Sequence, residues 1–500
     1  MSITSLAFAA FCIGVIPIYW LLPGRFRTGW LFAISVGFVI TWSWELAGIL
    51  LVVATVNYYL GRWLAGAGKR RGTLLWTGIL FNVLTLVVLK YSHFYTQALI
   101  RLLARVGIVV GSDGLKFLVS IGLSFIVLQM VSYLVDIYKH QMTAEKRWLE
   151  FAVYVLYFPK LISGPIERAK AFIPKLDQHS SLTSTQITQA VALILVGLIR
   201  KRLFADPLNA MIPKDAFVTP LNYSASILFS WLLAYAFALY NDFAGYSSIV
   251  RGVSALFGIE LTNNFSNPYL SRSFSEFWNR WHISLSNWLR DYIYFPTARA
   301  LLAKFPARES VINIVIPPIV TMLVSGLWHE LSWSLLLWGG LHGGYLVLER
   351  ISRLRGPNIP PNEQPIYRQM IGTVIVFFGV ILAWLPFRMD LVTAKRYLAV
   401  MILPAHWVAP DWGWLNDIQY VWERHLPIGS IYRWNIPDPR IILVLVFAVL
   451  FDWLQNRKRD ELMFLKWPKW AQIILYIFAI FGLLMMAFSD TRLPFVYQGF

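Results

Sequence analysis

The sequence predicts an all-α protein threaded many times through a lipid bilayer. Three observations carry that class. Of 500 residues, 57% are hydrophobic and only 14% charged, short of the charged exterior that a water-soluble domain needs. Apolar runs near the length of a bilayer-crossing helix recur from one end of the chain to the other. Basic residues cluster between those runs, and 44 Lys and Arg outnumber 26 Asp and Glu, for a formal charge of +18.

Taken in order, the runs predict about a dozen spans. They cover residues 4–22, 28–44, 46–63, 73–99, 117–138, 187–204, 225–246, 311–328, 331–349, 370–386, 440–454 and 471–488. The first lacks a basic n-region and leads straight into further apolar segments, so it reads as a retained span and not a secretory signal. Cys12, the one cysteine, lies within it. A disulfide inside the chain is therefore excluded, and a thiolate metal cluster or a Cys nucleophile is disfavoured.

The basic clusters are Arg25 with Arg27; Arg62 with Lys69, Arg70 and Arg71; Lys139, Lys146 and Arg147; Arg200, Lys201 and Arg202; and Arg457, Lys458 and Arg459. They read as short cytoplasmic loops that follow the positive-inside bias and attract anionic headgroups. The N-terminus then falls outside, and the charge needs no nucleic acid to explain it. Loops rich in proline and aromatics fall at 205–224, 354–366 and 404–438. The last carries Trp407, Trp412, Trp414, Trp422 and Trp434, and reads as an interfacial belt. With no repeat and no soluble boundary, residues 1–500 read as a single membrane domain.

Two segments depart from ordinary spans. Around 148–176, Pro159, Gly164 and Pro165 break the helix before a basic amphipathic tail. From Ser275 the chain reads SEFWNRWHISLSNWLRDYIYFP, where Arg280, Arg290 and Asp291 would each cost roughly 3 kcal/mol at the bilayer centre. As one helix, this block puts Trp278, Trp281, Leu285, Trp288 and Tyr292 on one face and Arg280, Ser284, Asn287 and Asp291 on another. It is then either an interfacial helix or a re-entrant one lining a polar cavity; periodicity does not choose.

Of eight histidines, His93, His140, His179, His406 and His425 fall near span ends or in loops. His342 sits in LWGGLHGGYL, where Gly339, Gly340, Gly343 and Gly344 suggest close helix packing. His329 stands where one apolar run ends and the next begins, after Pro317, Pro318, Ser325 and Gly326. An ionisable residue at such a place is a functional candidate, weighed against a structural hydrogen bond. His282, beside three tryptophans, is a weaker candidate by itself.

Spacing tests the chemistry. HELSW places Trp333 where H-E-x-x-H needs its second ligand, so no metal site is expected. Neither a G-x-S-x-G elbow nor a G-x-x-x-x-G-K-[ST] loop occurs, which disfavours serine hydrolysis and ATP-driven pumping. What remains is transfer from an already activated donor, such as a thioester, to an alcohol that must lose its proton. An imidazole, with an ordinary pKa near 6.5, suits that base.

The stretch YNDFAGYSSIVRGVSALFGIELTNNFSNPYLSRSFSEFWNRWHISLSNWLRDYIYFP (240–296) resembles the membrane-bound O-acyltransferase (MBOAT) family. So do YFPKLISGPIERAKAFIPKL (157–176), GLWHELSWSLLLWGGLHG (326–343) and the terminal LPFVYQGF (493–500). The similarity is greatest to the bacterial branch that holds alginate O-acetyltransferase and teichoic-acid D-alanyl transferase. It runs in order over nearly the whole chain and is most specific at W-x-x-W-H-x-S-L and at the later Trp-His.

The resemblance implies a helical shell, with re-entrant and interfacial helices, around a thinned centre crossed by a tunnel in the cell membrane. It also implies an O-acyltransferase, most simply an acetyltransferase of an exported, alginate-like polysaccharide. His329 matches the family's near-invariant histidine and His282 the branch's earlier motif histidine, the pair expected to be catalytic. Asn279, Trp281, Arg290 and Asp291 are the expected substrate-binding set. No bound cofactor is expected, but an acyl thioester co-substrate is, either acetyl-CoA or an acyl carrier. Membrane lipids and periplasmic or extracellular acyl-transfer proteins are the expected partners.

The chain departs from the pattern at Ser248, where Asp is common; at Glu330, where a small residue is usual; and after Pro296, where Gly-Gly is absent. Glu330 either orients His329 or faces the headgroups, and the second suits an interfacial carboxylate better. The competing readings are a lipid or saccharide transporter without acyl-transfer chemistry, against which the lack of inverted repeats counts, and a catalytically idle scaffold for an acyl-transfer partner.

Overall fold

A computed structural model describes residues 3–91, 122–177, 181–307, 310–355, 363–403 and 438–487. Residues 404–437 of the tryptophan-rich loop, the terminal 493–500, and His93, His179, His406 and His425 lie outside the described residues. All regular structure among the described residues is helical.

Six helices are long and apolar enough to cross a membrane: Trp44–Gly66, Gly68–Lys90, Ala225–Ala255, Val311–His329, Ile366–Arg388 and Pro439–Lys458. Shorter apolar helices cover Leu6–Leu21, Leu123–Tyr138 and Lys469–Leu483. The chain is a multi-pass membrane protein. Its elements fall into two compact units, residues 1–194 with 246–263 and residues 195–245 with 264–500.

The first unit holds α1 (Leu6–Leu21), α2 (Gly24–Ile40), α3 (Trp44–Gly66), α4 (Arg71–Lys90), α5 (Leu123–Tyr138) and α6 (Trp148–Leu156). Ser43 starts α3 by accepting the Leu46 N–H at 3.0 Å, which satisfies one of the donors that a helix N-terminus leaves open. Buried Asn57 of α3 and Asn82 of α4 exchange amide hydrogen bonds of 3.0 and 2.7 Å. Hydrocarbon supplies no partners, so such groups must find each other. Helix α6 stops before Pro159, as its sequence predicts. The chain beyond packs one face inward: Lys160 is buried against Gln129, and buried Glu167 accepts the Thr262 N–H at 2.6 Å. Gly122, at φ 72°, lies against the Leu161 carbonyl, where a Cβ would collide.

Two helices pass from one unit's residues to the other's, α7 (Ser184–Leu198) and α8 (Ala225–Ala255). The run predicted at 225–246 continues to Ala255 because nothing in it breaks a helix until the turn that ends at Gly258, φ 77°. After α7 the chain widens into a π-helical turn, Ile199–Ala205. Here the sequence reading fails: Arg200 and Lys201 are not loop cations but are 4% and 1% exposed. Arg200 bonds Asn241, Asp452 and Gln455, each at 2.8 Å. Lys201 pairs with Asp242 at 2.5 Å and Asp206 at 2.9 Å. Buried charge is tolerated when paired and hydrogen-bonded, and apart from Asp206 these partners are remote in sequence.

The rest of the second unit is α9 (Phe274–Arg280), α10 (Ile283–Leu289), α11 (Phe295–Lys304), α12 (Val311–His329), α13 (Trp333–Arg355), α14 (Ile366–Arg388), α15 (Leu391–Ile402), α16 (Pro439–Lys458) and α17 (Lys469–Ala487). The stretch 275–296 is therefore not one helix with two faces. It breaks at Trp281 and His282 and again in a π-turn at Arg290–Tyr294. Helices α12 and α13 form a close hairpin. A Cβ on Gly326 would collide with the Leu335 carbonyl, and one on Gly339 with that of Met322. Gly340 and Gly344, expected to share this role, face open space.

Candidate active site

His282 owes its position to a backbone conformation that side chains other than glycine rarely adopt. Its φ of 42° and ψ of 54° lie in the left-handed region, where a non-glycine residue persists only if its surroundings enforce it. Asn264 does the enforcing. Its carbonyl accepts the Ile283 N–H at 3.0 Å and its side-chain oxygen the Ser284 N–H at 3.1 Å. Next to the break, Trp281 is buried among Tyr240, Phe265, Tyr269, Phe277 and Trp384, with ring separations of 5.0–6.2 Å. That packing fixes the turn from below. The His282 ring meets Phe243 edge-on at 4.8 Å, and its burial pushes the imidazole pKa down to about 3.

His329 ends α12 and is 6% exposed. Its ring packs against Trp328 at 4.8 Å, Phe387 at 5.1 Å and Trp338 at 5.4 Å. Trp328 also meets His282, at 6.3 Å. With legs of 6.3 and 4.8 Å, the two imidazole centres lie at most about 11 Å apart. Two histidines separated in sequence thus share one indole.

His342 joins the same cluster. It stands 5.0 Å from Trp338 and 5.1 Å from Trp278, and is fully buried. Both of its ring nitrogens, the indole nitrogens of Trp278 and Trp338, and the Ser325 hydroxyl find no hydrogen-bond partner among the described residues. Each unpaired buried polar group costs about 1–3 kcal/mol, and the Trp338 ring links those of His342 to His329. The sequence placed His342 as a packing residue. Its i, i+4 spacing from Trp338 was the available signal.

The remaining expected residues separate. Asn279 is exposed and lines a polar cleft. Trp281 is a packing residue of the break. The side chains of Arg290 and Asp291 are 47% and 42% exposed and pair with one another at 3.3 Å. Both lie in the π-turn. Glu330 is exposed, and Ser248 is buried in α8.

Residues 36–388 match the model of MBOAT, the membrane-bound O-acyltransferase family. The chain is 32% identical to the probable alginate O-acetylase AlgI of Azotobacter vinelandii over 411 residues, covering 80% of this chain and 77% of that one. It is 26% identical to the peptidoglycan O-acetyltransferase of Helicobacter pylori, over 75% and 73% of the two chains. It is 29% identical to the teichoic acid D-alanyltransferase of Streptococcus thermophilus, over 59% and 74%.

Proposed function

This chain belongs to the membrane-bound O-acyltransferase family, and from that premise we propose that it passes an acetyl group from a cytoplasmic thioester towards hydroxyls of an exported polysaccharide. The observation that carries the reading is the convergence of His282 and His329 on Trp328. The relatives named for alginate and peptidoglycan O-acetylation support the acyl group and the class of acceptor.

His329 is the general base. Its neutral imidazole takes the hydroxyl proton as the alcohol oxygen bonds to the thioester carbonyl carbon. The carbon–sulfur bond then breaks, and the leaving thiolate takes the proton to become a thiol. General-base assistance of this kind contributes about 10²–10⁴ in rate. His282 plays another part. An imidazole with its pKa near 3 is a weak base at neutral pH, so it positions the donor or acceptor through a hydrogen bond. The acceptor, or a relay protein carrying the acyl group, meets the site from the extracytoplasmic face.

The test is acetyl ester on the surface glycan of cells whose only copy carries His329→Ala. Ester at the wild-type level removes His329 from the mechanism; ester restored by the wild-type gene alone supports it.

A further inference from the structure

Arg388 ends α14 with its guanidinium over two aromatic rings and no anion to answer it. The guanidinium carbon lies 5.4 Å from the ring centre of Phe217 and 5.6 Å from that of Tyr235. Both rings are buried, whereas Arg388 is exposed. Phe217 is itself stacked on Tyr397 at 5.8 Å, so the cation rests on a packed platform. No ion pair or hydrogen bond joins the Arg388 side chain to another of the described residues. The nearest carboxylate in sequence, Asp390, is committed elsewhere. It caps α15, accepting the Val392 and Thr393 N–H groups at 2.9 and 3.0 Å and the Thr393 hydroxyl at 2.7 Å.

A cation at a helix C-terminus is favourable by itself, and a solvated lysine would serve that purpose. An arginine drawn onto aromatic rings does more, because stacking leaves its N–H donors for an oxyanion. Arg350, Arg353 and Arg368 mark the cytoplasmic ends of α13 and α14. Arg388, at the other end of α14, therefore faces the outer side, where the same bias disfavours cations. Yet residues 388–403 carry Arg388, Lys395 and Arg396 against Asp390 alone, and all three cations are exposed. Phe387 packs its ring 5.1 Å from that of His329, and neighbouring Cα atoms are about 3.8 Å apart. The cation thus adjoins the wall of His329, on the side from which an acceptor arrives.

We propose that Arg388 binds a carboxylate of the sugar chain that presents its hydroxyl to His329 and so selects anionic saccharides, a reading that rests on the acyl-transfer function above. A carboxylate takes two N–H groups of the planar fork at once, and the basic surface of α15 draws a polyanion towards it. A neutral saccharide leaves the guanidinium without its ion pair. The phosphate of an anionic lipid in the outer leaflet offers the same oxyanion chemistry and competes for the same fork.

The experiment measures equilibrium binding of a short oligouronate, and of the same oligomer with its carboxyl groups reduced to alcohols, to the full-length protein in phosphatidylcholine nanodiscs. The wild type is expected to bind the uronate at least about tenfold more tightly, the scale of a charge-assisted bidentate contact. Arg388→Gln is expected to lose that preference by weakening uronate binding, with little effect on the reduced oligomer. Arg388→Lys keeps the charge without the fork and is expected to retain only part of the preference. Unchanged thermal unfolding shows that each variant is folded. A wild type that binds both oligomers alike overturns the proposal, as does an undiminished preference in the folded variants or an equal loss for both oligomers. So does loss of the preference when phosphatidylglycerol replaces the neutral lipid, which assigns Arg388 to headgroups. Binding involves no transfer, so a protein that shows the preference yet acylates nothing keeps Arg388 in this role and sinks only the acyl-transfer reading. Equal acetylation of both oligomers by the wild type and Arg388→Gln does the reverse.

Discussion

Arg200 donates to Asp452 across 2.8 Å, joining side chains 252 positions apart. Asn267 and Tyr240 also donate to the same carboxylate oxygen, each at 3.2 Å. Asp452→Leu strands a buried guanidinium, and removal of one partner from a buried pair costs about 3–5 kcal/mol. Unfolding in detergent is expected to show that loss, and Arg200→Met/Asp452→Leu to recover a good part of it.

His329→Ala is expected to lower kcat for acetyl transfer by about 10²–10⁴ with little change in KM, read in a purified assay with a soluble saccharide acceptor. A base acts only in the transition state, so kcat/KM falls in parallel.

His282 is held neutral by burial, its pKa falling from 6.5 to about 3. Between those values the unfolded chain binds the extra proton. This group's contribution is therefore present above pH 6.5 and lost as pH falls towards 3, by up to about 1.4 kcal/mol per pH unit. His282→Asn tolerates the left-handed backbone and removes the titration. Its unfolding midpoint is expected to vary less with pH than that of the wild type.

Gly339→Ala and Gly326→Ala press a methyl group onto a facing carbonyl, and overpacking of this kind costs about 1–3 kcal/mol. Gly340→Ala, one residue along, meets open space and is expected to unfold with the wild type. Because His329 stands at the turn of this hairpin, the first two variants are also expected to lose kcat.

His342→Leu deletes two unpaired buried nitrogens, so it is expected to raise the unfolding midpoint while reducing acetyl transfer. That opposition of stability and activity marks a polar group retained for function; a gain in both would make His342 a packing residue.

The membrane class and most helix positions were legible because hydrocarbon imposes one rule on every residue that crosses it. The site was legible only in part. His329 stood out at a junction of two runs, but the break at His282 did not. Left-handed turns are announced by Gly, Asn or Asp, and here the conformation is imposed by Asn264, eighteen positions earlier. Arg200 and Lys201 looked like loop cations because Asp452 and Asp242, which pair with them, lie on other helices. The π-turn at Arg290–Tyr294 was not legible either, because a regular helical period was read across it.

The reciprocal amides of Asn57 and Asn82 have a consequence for assembly. Sliding α3 past α4 by one turn, about 5.4 Å, would break both cross-helix amide bonds and leave each carboxamide only its own helix's carbonyl, Val53 or Gly78. These two side chains therefore act as a detent. They admit a single register when the hairpin inserts.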